Sequence, residues 1–292
     1  ETANTENLKG KWLSLGVTYI SLDGTEYYNI MPVWDWARLP GVTNPYFVAG
    51  GDEGQSTLFV GGVSNGSCGA ATMDLNYENT QGQKSWFFFD DEMVALGAGI
   101  SSSASQPINT TVNQCFLDGA VIVNGNTLAS GEHSLSSVSW VQHDDIGYVF
   151  PEGANVKIKN QSQSGSWYSI NQVESTSVIS EEVFTLWFDH GTTPSNSSYE
   201  YIVIPNKSAS EVSAYSSSCP IQVISNTTSI QAVRHNTQLL SEIVFHQPGS
   251  IRLHSNLTVK CNIPALVMID ESTSTPQVNI KSPSGLPMIA TI

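Results

Sequence analysis

The amino-acid sequence predicts an all-β protein built around a large antiparallel β-sandwich. Helical periodicity is nearly absent along its 292 residues. Short alternating or β-branched runs recur instead, and clusters of Gly, Asn, Ser and Pro separate them. At least ten such runs with turn residues between them are typical of a β-sandwich.

The predicted strands follow one another along the chain, and each is a short run bounded by turn residues. They are VTYISL (17–22), AVIVNG (120–125), SVSWVQH (137–143), IGYVF (146–150), VFTLWFDH (183–190), YEYIVIP (199–205), IQAVRH (230–235), SEIVFH (241–246), SIRLHS (250–255) and ALVMID (265–270). Between the sixth and seventh runs, the Ser-rich stretch NKSASEVSAYSSSCP breaks the strand rhythm. We therefore predict a β-sandwich domain over 1–225 and a smaller β-domain over 226–292, which we expect to be incomplete.

The charge of the chain excludes some partners. Its formal net charge is −15, with only 11 Lys and Arg residues, so a nucleic-acid partner is not expected. An anionic polymer would be repelled unless basic groups are concentrated locally or come from another domain. No apolar run approaches the length of a membrane span. Low Lys content with abundant Ser, Thr and Asn indicates a secreted protein, extracellular or periplasmic.

The four cysteines leave their redox state open. Their spacing does not suit zinc, since no C-x-x-C occurs and no histidine lies at a zinc-finger distance. An even number permits two disulfides, and buried free thiols are an equal alternative. They are Cys68, Cys115, Cys219 and Cys261.

Histidines and acids offer several weak candidates for chemistry. His143 precedes two aspartates and could be a base with an orienting carboxylate, but a strand-end turn is the favoured interpretation. The same alternatives apply to His190 in WFDHGTTP. His235, His246 and His254 recur on neighbouring predicted strands and could bind a metal, although no supporting ligand spacing accompanies them.

An acidic trio follows the aromatic run in WFFFDDE, at residues 86–92. Three acids in a row could form a calcium site or supply a glycosidase acid. A hairpin turn between two buried strands explains the same pattern more simply. We therefore favour the hairpin.

The segment YYNIMPVWDWARLPGVT (27–43) is unusually rich in aromatic residues. In a strand, Trp34 and Trp36 would share one face, where coplanar indoles could stack on sugar rings or wedge between two sheets. Arg38 is expected to pair with a carboxylate or to lie over an indole face. On chemistry alone, structural packing is the favoured interpretation.

Five motifs together resemble polysaccharide lyase family eight, most of all its chondroitin AC lyases and next its hyaluronate and xanthan lyases. They are EYYNIMPVWDWARLPGVT, WFFFDDEMVALGAGI, TTVNQCFLDG, HDDIGYVFPEGA and LWFDHGTTPSNSSYEYIVIPN. The resemblance implies an N-terminal α/α toroid, then a galactose-mutarotase-like supersandwich, then a small β-domain. This chain corresponds to the second and part of the third, without the toroid.

The resemblance also implies a shared active site. In the family, the Tyr and His of proton transfer, an Arg and a carboxylate-binding Asn lie on the toroid. The sandwich adds a Glu and an Asn from an E-x-x-N segment before ENL-x-G. Here that segment is ETANTENLKG, so the supporting residues are Glu1 and Asn4. The Trp-rich segment would be scaffold close to the substrate, with Trp34, Trp36 and Arg38 as candidate substrate-binding residues.

The implied activity is β-elimination on uronic-acid-containing glycosaminoglycans such as chondroitin sulfate and hyaluronan. Because the main acid–base residues belong to the toroid, we expect this chain to be part of a larger enzyme and inactive alone. Some relatives hold calcium near the Trp-rich segment, but only Asp35 remains of such a cluster here, so no cofactor is expected. The alternative function is a non-catalytic carbohydrate-binding or structural β-sandwich module.

Overall fold

A computed structural model describes residues 5–51, 57–285 and 289–291. It confirms the all-β prediction, because strands make up nearly all the regular structure in these ranges. The helical elements there are three short 3-10 helices and one α-helix: Gly10–Trp12, Met31–Val33, Trp167–Ser169 and α1 (Ala209–Ser217).

The strands of the described ranges are numbered in chain order. They are β1 (Thr43–Pro45), β2 (Val60–Ser64), β3 (Gly69–Tyr77), β4 (Thr80–Phe88), β5 (Met93–Ser102), β6 (Pro107–Phe116), β7 (Ile122–Val123), β8 (Asn126–Thr127), β9 (Gly131–His143), β10 (Ile146–Gly165), β11 (Ile179–Thr192), β12 (Ser197–Ile204), β13 (Ile221–Asn226), β14 (Ile230–His235), β15 (Leu240–Phe245), β16 (Gly249–His254), β17 (Leu257–Cys261), β18 (Ala265–Asp270), β19 (Gln277–Lys281) and β20 (Ala290–Thr291).

One 12-stranded antiparallel sheet forms the supersandwich. Its main order is β1-β6-β11-β10-β12-β5-β4-β3-β2, and β7, β8 and β9 attach through β10. Trp86 and Ile100, near one end of this order, share a buried apolar cluster with Val112 and Phe184, near the other. The sheet therefore encloses its own core, which is the way a long sheet buries one face without a second domain.

A second, smaller sandwich follows. It pairs a five-stranded sheet, β13-β14-β15-β18-β19, with a three-stranded sheet, β16-β17-β20. Ile243 and Phe245 of the larger sheet pack with Leu253 and Val259 of the smaller one. The outer face of the five-stranded sheet packs in turn against the supersandwich.

The Ser-rich stretch predicted to break the strand rhythm is the helix α1. Ser208 begins the helix with a capping box, in which its backbone N–H donates to the Glu211 carboxylate at 2.8 Å. This arrangement satisfies amide groups that a helix start leaves without partners. The predicted boundary at residue 225 falls within β13. The division into 1–225 and 226–292 stays a prediction.

Nine of the ten predicted strands overlap strands of the structure, and the segment 17–22 does not. Its backbone bonds to side chains and turns instead of a neighbouring strand. The amide of Ile20 donates to the Tyr27 hydroxyl at 3.1 Å, and the amide of Leu22 donates to the Glu26 carboxylate. The apolar alternation was correct for a half-buried segment, but it could not indicate which partners the backbone would find.

The cysteines are free thiols, and three of them are buried: Cys68, Cys115 and Cys261. Of the two open alternatives, the structure has the free-thiol form. Within the described ranges, no helix combines the length and apolar character needed to cross a membrane.

Candidate functional site

The two residues expected to support catalysis, Glu1 and Asn4, lie outside the described residues. The segment that follows them, residues 5–11, is tied to two neighbouring parts of the chain. The amide of Leu8 donates to the Ile170 carbonyl at 3.0 Å, and the amide of Lys11 donates to the Ala49 carbonyl at 3.1 Å. Backbone bonds on both sides fix the path of the chain immediately after the predicted site.

Lys9 is a basic residue of this segment that the motif search did not single out. Its ammonium donates to the Ser169 hydroxyl at 3.0 Å. Burial lowers the pKa of Lys9, and the nearby Asp35 carboxylate opposes that effect. Among the residues that the structure describes, Lys9 forms no ion pair.

The Trp-rich segment is not a strand at Trp34 and Trp36, so the condition for a shared indole face is not met. Trp34 follows the 3-10 helix Met31–Val33, and its indole meets that of Trp36 edge to face, at 82° and 5.6 Å. Coplanar indoles, one of the alternatives considered, therefore do not occur, and the backbone forms a turn from Asp35 to Arg38 instead of continuing as a strand. Trp34 instead lies parallel to Tyr19, 6.1 Å away, and the two tryptophans are 6% and 5% exposed. In this geometry the two indoles pack into the core. That they contact sugar remains a prediction.

Arg38 has both partners that the sequence predicted as alternatives. Its Nη1 lies 2.6 Å from Asp35 Oδ2, and its guanidinium carbon lies 4.1 Å from the Trp187 ring centre. Tyr46 covers it from another side, with its ring centre at 4.2 Å. Gln114 of β6 stabilises the turn from Asp35 to Arg38, because its side-chain amide donates to the Arg38 carbonyl at 2.7 Å. Gln114 belongs to the motif TTVNQCFLDG, but nothing in the sequence singled it out from its polar neighbours Thr111 and Asn113.

Asp35 does not fit the calcium site considered for this segment. Its carboxylate already accepts from Arg38, from the Tyr46 hydroxyl at 3.1 Å and from the Ala37 amide at 3.1 Å. Calcium takes six to eight oxygen ligands, usually with several carboxylates. No group of three or more His, Cys, Asp or Glu side chains suited to a metal occurs in the described part of the chain.

His143 lies at a strand-end turn, the favoured interpretation, and is not arranged as a base oriented by a carboxylate. It is fully buried at the end of β9, and its Nε2 accepts from the Asp118 amide at 3.1 Å. Asp144 and Asp145 form the β9–β10 turn with φ of 50° and 51°. Burial lowers the pKa of His143 to about 4. The ring is therefore neutral at ordinary pH and satisfied within the core.

His190 is likewise not oriented by its neighbouring aspartate. Its Nε2 lies 2.8 Å from the Thr110 hydroxyl, while Asp189 pairs with Lys157 at 2.7 Å. Burial lowers the pKa of His190 to about 4. The ring lines a cavity of about 340 Å³ that Glu200 also borders.

The other three candidate histidines do not assemble a metal site. Each lies beside a different carboxylate: His235 Nε2 is 2.9 Å from Glu92, His246 Nδ1 is 3.2 Å from Asp74, and His254 Nε2 is 2.9 Å from Glu271. Each contact joins distant parts of the chain, and the three histidines do not converge on one carboxylate.

The acidic trio is a hairpin turn, as favoured, with one exception. The amide of Phe89 donates to the Glu92 carbonyl at 2.9 Å and closes the turn between β4 and β5. Asp90 and Asp91 are exposed, whereas Glu92 is only 6% exposed and turns inward. The three carboxylates therefore do not converge on one ligand.

Comparison with known families agrees with the fold and with the order of the motifs. Residues 1–216 match the polysaccharide lyase family 8 super-sandwich domain, and residues 222–285 match the polysaccharide lyase family 8 C-terminal beta-sandwich domain. The chain therefore belongs to polysaccharide lyase family 8, which confirms the resemblance seen in its motifs.

Particular relatives can then be named. A chondroitinase-AC from Pedobacter heparinus is 41% identical over 280 residues, which cover 92% of this chain and 40% of the relative. A xanthan lyase from Bacillus sp. (strain GL1) is 38% identical over 258 residues, which cover 81% of this chain and 28% of the relative. The chain thus spans less than half the length of these two relatives.

Two solved structures share the fold closely. A chondroitinase AC lyase studied as enzyme–oligosaccharide complexes superposes with a TM-score of 0.91 and 38% identity, covering 97% of this chain and 43% of the other. A Paenibacillus xanthan lyase also gives a TM-score of 0.91, with 32% identity, covering 97% of this chain and 29% of the other.

Proposed function

We propose that this chain is the β-domain portion of a secreted polysaccharide lyase that cleaves uronic-acid-containing glycosaminoglycans of the chondroitin and hyaluronan type. The observation that carries the proposal is the family match, which runs through both β-domains. The names of the relatives, chondroitinase-AC and hyaluronate lyase among them, support this substrate class.

The reaction proposed is β-elimination. A base removes the proton from C5 of the uronate, the C4–O bond breaks, and an acid protonates the departing oxygen. The product carries a C4–C5 double bond. Because the C5 proton is weakly acidic, a donor must also neutralise the uronate carboxylate and stabilise the charge that develops on it.

The chain and a toroid domain divide these tasks in the proposal. The resemblance assigns the Tyr, His, Arg and Asn of the reaction to an α/α toroid, which we propose as the partner domain. Glu1 would hold the toroid's Arg or His in position, and Asn4 would contact the substrate or the same network. The anchoring of residues 5–11 supports this role, since a supporting carboxylate must be held rigidly.

The substrate side of the sandwich would lie along the same segment. Trp34, Trp36 and Arg38 are proposed to form the scaffold of that surface, with Lys9 beside them. Because the chain has a net charge of −15, an anionic polysaccharide needs local basic groups or basic groups from the toroid.

The test compares the protein encoded by the whole gene with the chain of 292 residues. Turnover is followed by the ultraviolet absorbance of the unsaturated uronate, with chondroitin sulfate, hyaluronan and xanthan as substrates. The proposal expects activity of the whole protein, none from the chain alone, and a large loss in the whole protein carrying Glu1→Ala. A whole protein that binds these polysaccharides without cleaving them would instead favour a carbohydrate-binding module.

A further inference from the structure

Tyr46 is the exposed member of a group of three side chains in contact. Trp187, the most buried of them, is 1% exposed. The Arg38 guanidinium contacts both rings, with its carbon 4.1 Å from the Trp187 ring centre and 4.2 Å from the Tyr46 ring centre. Tyr46 is 39% exposed, whereas the Arg38 side chain is 13% exposed. Because the guanidinium covers one face of the Tyr46 ring, the exposed area lies on the other face and the edge.

The Tyr46 ring is held in one orientation. Its hydroxyl donates to Asp35 Oδ2 at 3.1 Å, and the same oxygen lies 2.6 Å from Arg38 Nη1. The Tyr46 amide donates to the Pro107 carbonyl at 2.9 Å, which fixes the backbone as well. A ring that is already fixed loses little conformational freedom when a ligand packs on it, and this favours affinity.

The segment that carries Tyr46 lies against the segment that leads to the predicted catalytic support. At Gly50, a Cβ atom would be 2.2 Å from the Asn7 carbonyl oxygen. A side chain would not fit there, so glycine permits this close approach of the two backbones. Residues 46–50 and residues 5–11 are therefore in direct contact. Tyr46 thus belongs to the part of the chain that borders the proposed substrate side of the sandwich.

Lys9 adds a positive charge to the surroundings of Tyr46. The Asp35 carboxylate that anchors the Tyr46 hydroxyl is close enough to Lys9 to oppose the lowering of the Lys9 pKa by burial. Asp35 is at the same time paired with Arg38. Two cations are therefore grouped around one carboxylate here. Such a place attracts an acidic polymer locally, even on a chain with a net charge of −15.

Tyr19 shows that an exposed aromatic ring is not sufficient for this role. It is 52% exposed, more than Tyr46. However, it borders a cavity of about 540 Å³ whose lining includes the acidic trio at residues 90–92. Carboxylates at that position repel an anionic polymer. Of the two rings, Tyr46 is therefore the one suited to an acidic polysaccharide.

We propose that Tyr46 is a sugar-stacking residue of the substrate side, with a pyranose ring of the polysaccharide against its exposed face and an acidic group of the polymer directed toward Lys9. This inference rests on the proposed function, which supplies the anionic polysaccharide. The C–H groups on a pyranose face make apolar contact with an aromatic ring, while the hydroxyl and acidic groups project from the sugar's edge. Tyr46 thereby acts in binding and takes no part in proton transfer.

Steady-state kinetics of the whole protein test the role of the ring. Tyr46→Leu should raise KM for chondroitin sulfate roughly fivefold and leave kcat within about twofold, because stacking is the same in the ground state and the transition state. Tyr46→Phe keeps the ring, so its KM should stay within about twofold of the wild type. Tyr19→Leu is the matched control and should leave KM unchanged. An unchanged KM in an active Tyr46→Leu enzyme, or an equal rise in Tyr46→Phe, would overturn the proposal.

Hydroxyl-radical footprinting of the wild-type whole protein tests the contact without a variant. Radicals oxidise exposed tyrosine rings, and mass spectrometry locates the modified residues. Saturating chondroitin sulfate should make Tyr46 severalfold less reactive and leave Tyr19 unchanged. Equal protection of the two tyrosines would count against a specific contact at Tyr46.

The two experiments separate this inference from the proposed function. A whole protein that cleaves or binds these polysaccharides while Tyr46 stays unprotected would overturn the stacking role alone. A whole protein that binds them without cleavage, and with Tyr46 protected, would sustain the stacking role and count against the lyase. A whole protein that neither cleaves nor binds them would overturn both.

Discussion

Arg38 lies over the indole of Trp187, with 4.1 Å between the guanidinium carbon and the ring centre, and this contact ties the Trp-rich segment to β11. The same guanidinium neutralises Asp35 at 2.6 Å. One side chain thus combines an ion pair with a cation–π contact in a site that water barely reaches. Such a residue contributes more to stability than a surface charge does. Its removal leaves the partly buried Asp35 carboxylate without a counter-charge.

We expect Arg38→Met to destabilise the chain by about 2–4 kcal/mol, because Asp35 would lose its counter-charge while the aliphatic stem is kept. Urea unfolding measures this free energy. Arg252→Met is the matched control, since Arg252 is exposed and, among the described residues, bonds to the nearby backbone carbonyls of His254 and Ser255; it should change stability by less than about 0.5 kcal/mol. The double variant Arg38→Met/Asp35→Asn should recover part of the loss. Equal effects of the two arginine variants would contradict the role assigned to Arg38.

The sequence predicted more of the fold than of the site because strand patterns are local. A run such as ALVMID needs only its own residues to indicate a buried strand, and it is β18. The Glu92–His235 pair joins residues 143 positions apart, and no spacing in the sequence indicates it. A shared face for the indoles of Trp34 and Trp36 was expected only if the segment formed a strand. A turn in the backbone was enough to change that.

Glu242→Gln should stabilise the chain, increasingly so as the pH rises. Burial raises the folded pKa of Glu242 to about 8, above the ordinary value of 4.5, so wild-type stability is complete below about pH 4.5 and is lost as the pH rises to about 8. Glutamine cannot ionise and avoids this loss. The difference should therefore grow from near zero at about pH 4.5 to several kcal/mol, on the order of 3–5, at about pH 8.

Denaturant unfolding at a series of pH values measures that difference. Glu132→Gln is the control, because Glu132 is exposed on β9 and should show no such growth. A constant difference between Glu242→Gln and wild type across this range would show that Glu242 is not a buried neutral acid.

Lys84→Met should have the opposite pH profile. Lys84 is fully buried, its ammonium donates to the Gly41 carbonyl, and burial lowers its pKa from 10.5 to about 7. Wild-type stability should therefore rise between about pH 7 and about pH 10.5, where the unfolded chain binds the extra proton. Methionine has no charge to bury, so its advantage over lysine should be greatest below about pH 7 and should shrink above it. Thermal unfolding of both proteins at about pH 6 and about pH 9 checks the sign, and an advantage that grows with pH would contradict it.

Lys9→Met tests whether the half-buried cation beside the Trp-rich segment attracts the substrate, in the whole protein and under the proposed lyase function. Losing one charge contact of about 1 kcal/mol should raise KM for chondroitin sulfate roughly fivefold, with little change in kcat, because the charge acts on binding rather than on proton transfer. The effect should weaken with added salt. Lys207→Met provides the matched control, since Lys207 lies just before α1, far along the chain from Lys9, and should leave KM unchanged. An unchanged KM for Lys9→Met with a fully active enzyme would remove Lys9 from the substrate surface, whereas an inactive wild type would count against the lyase assignment itself.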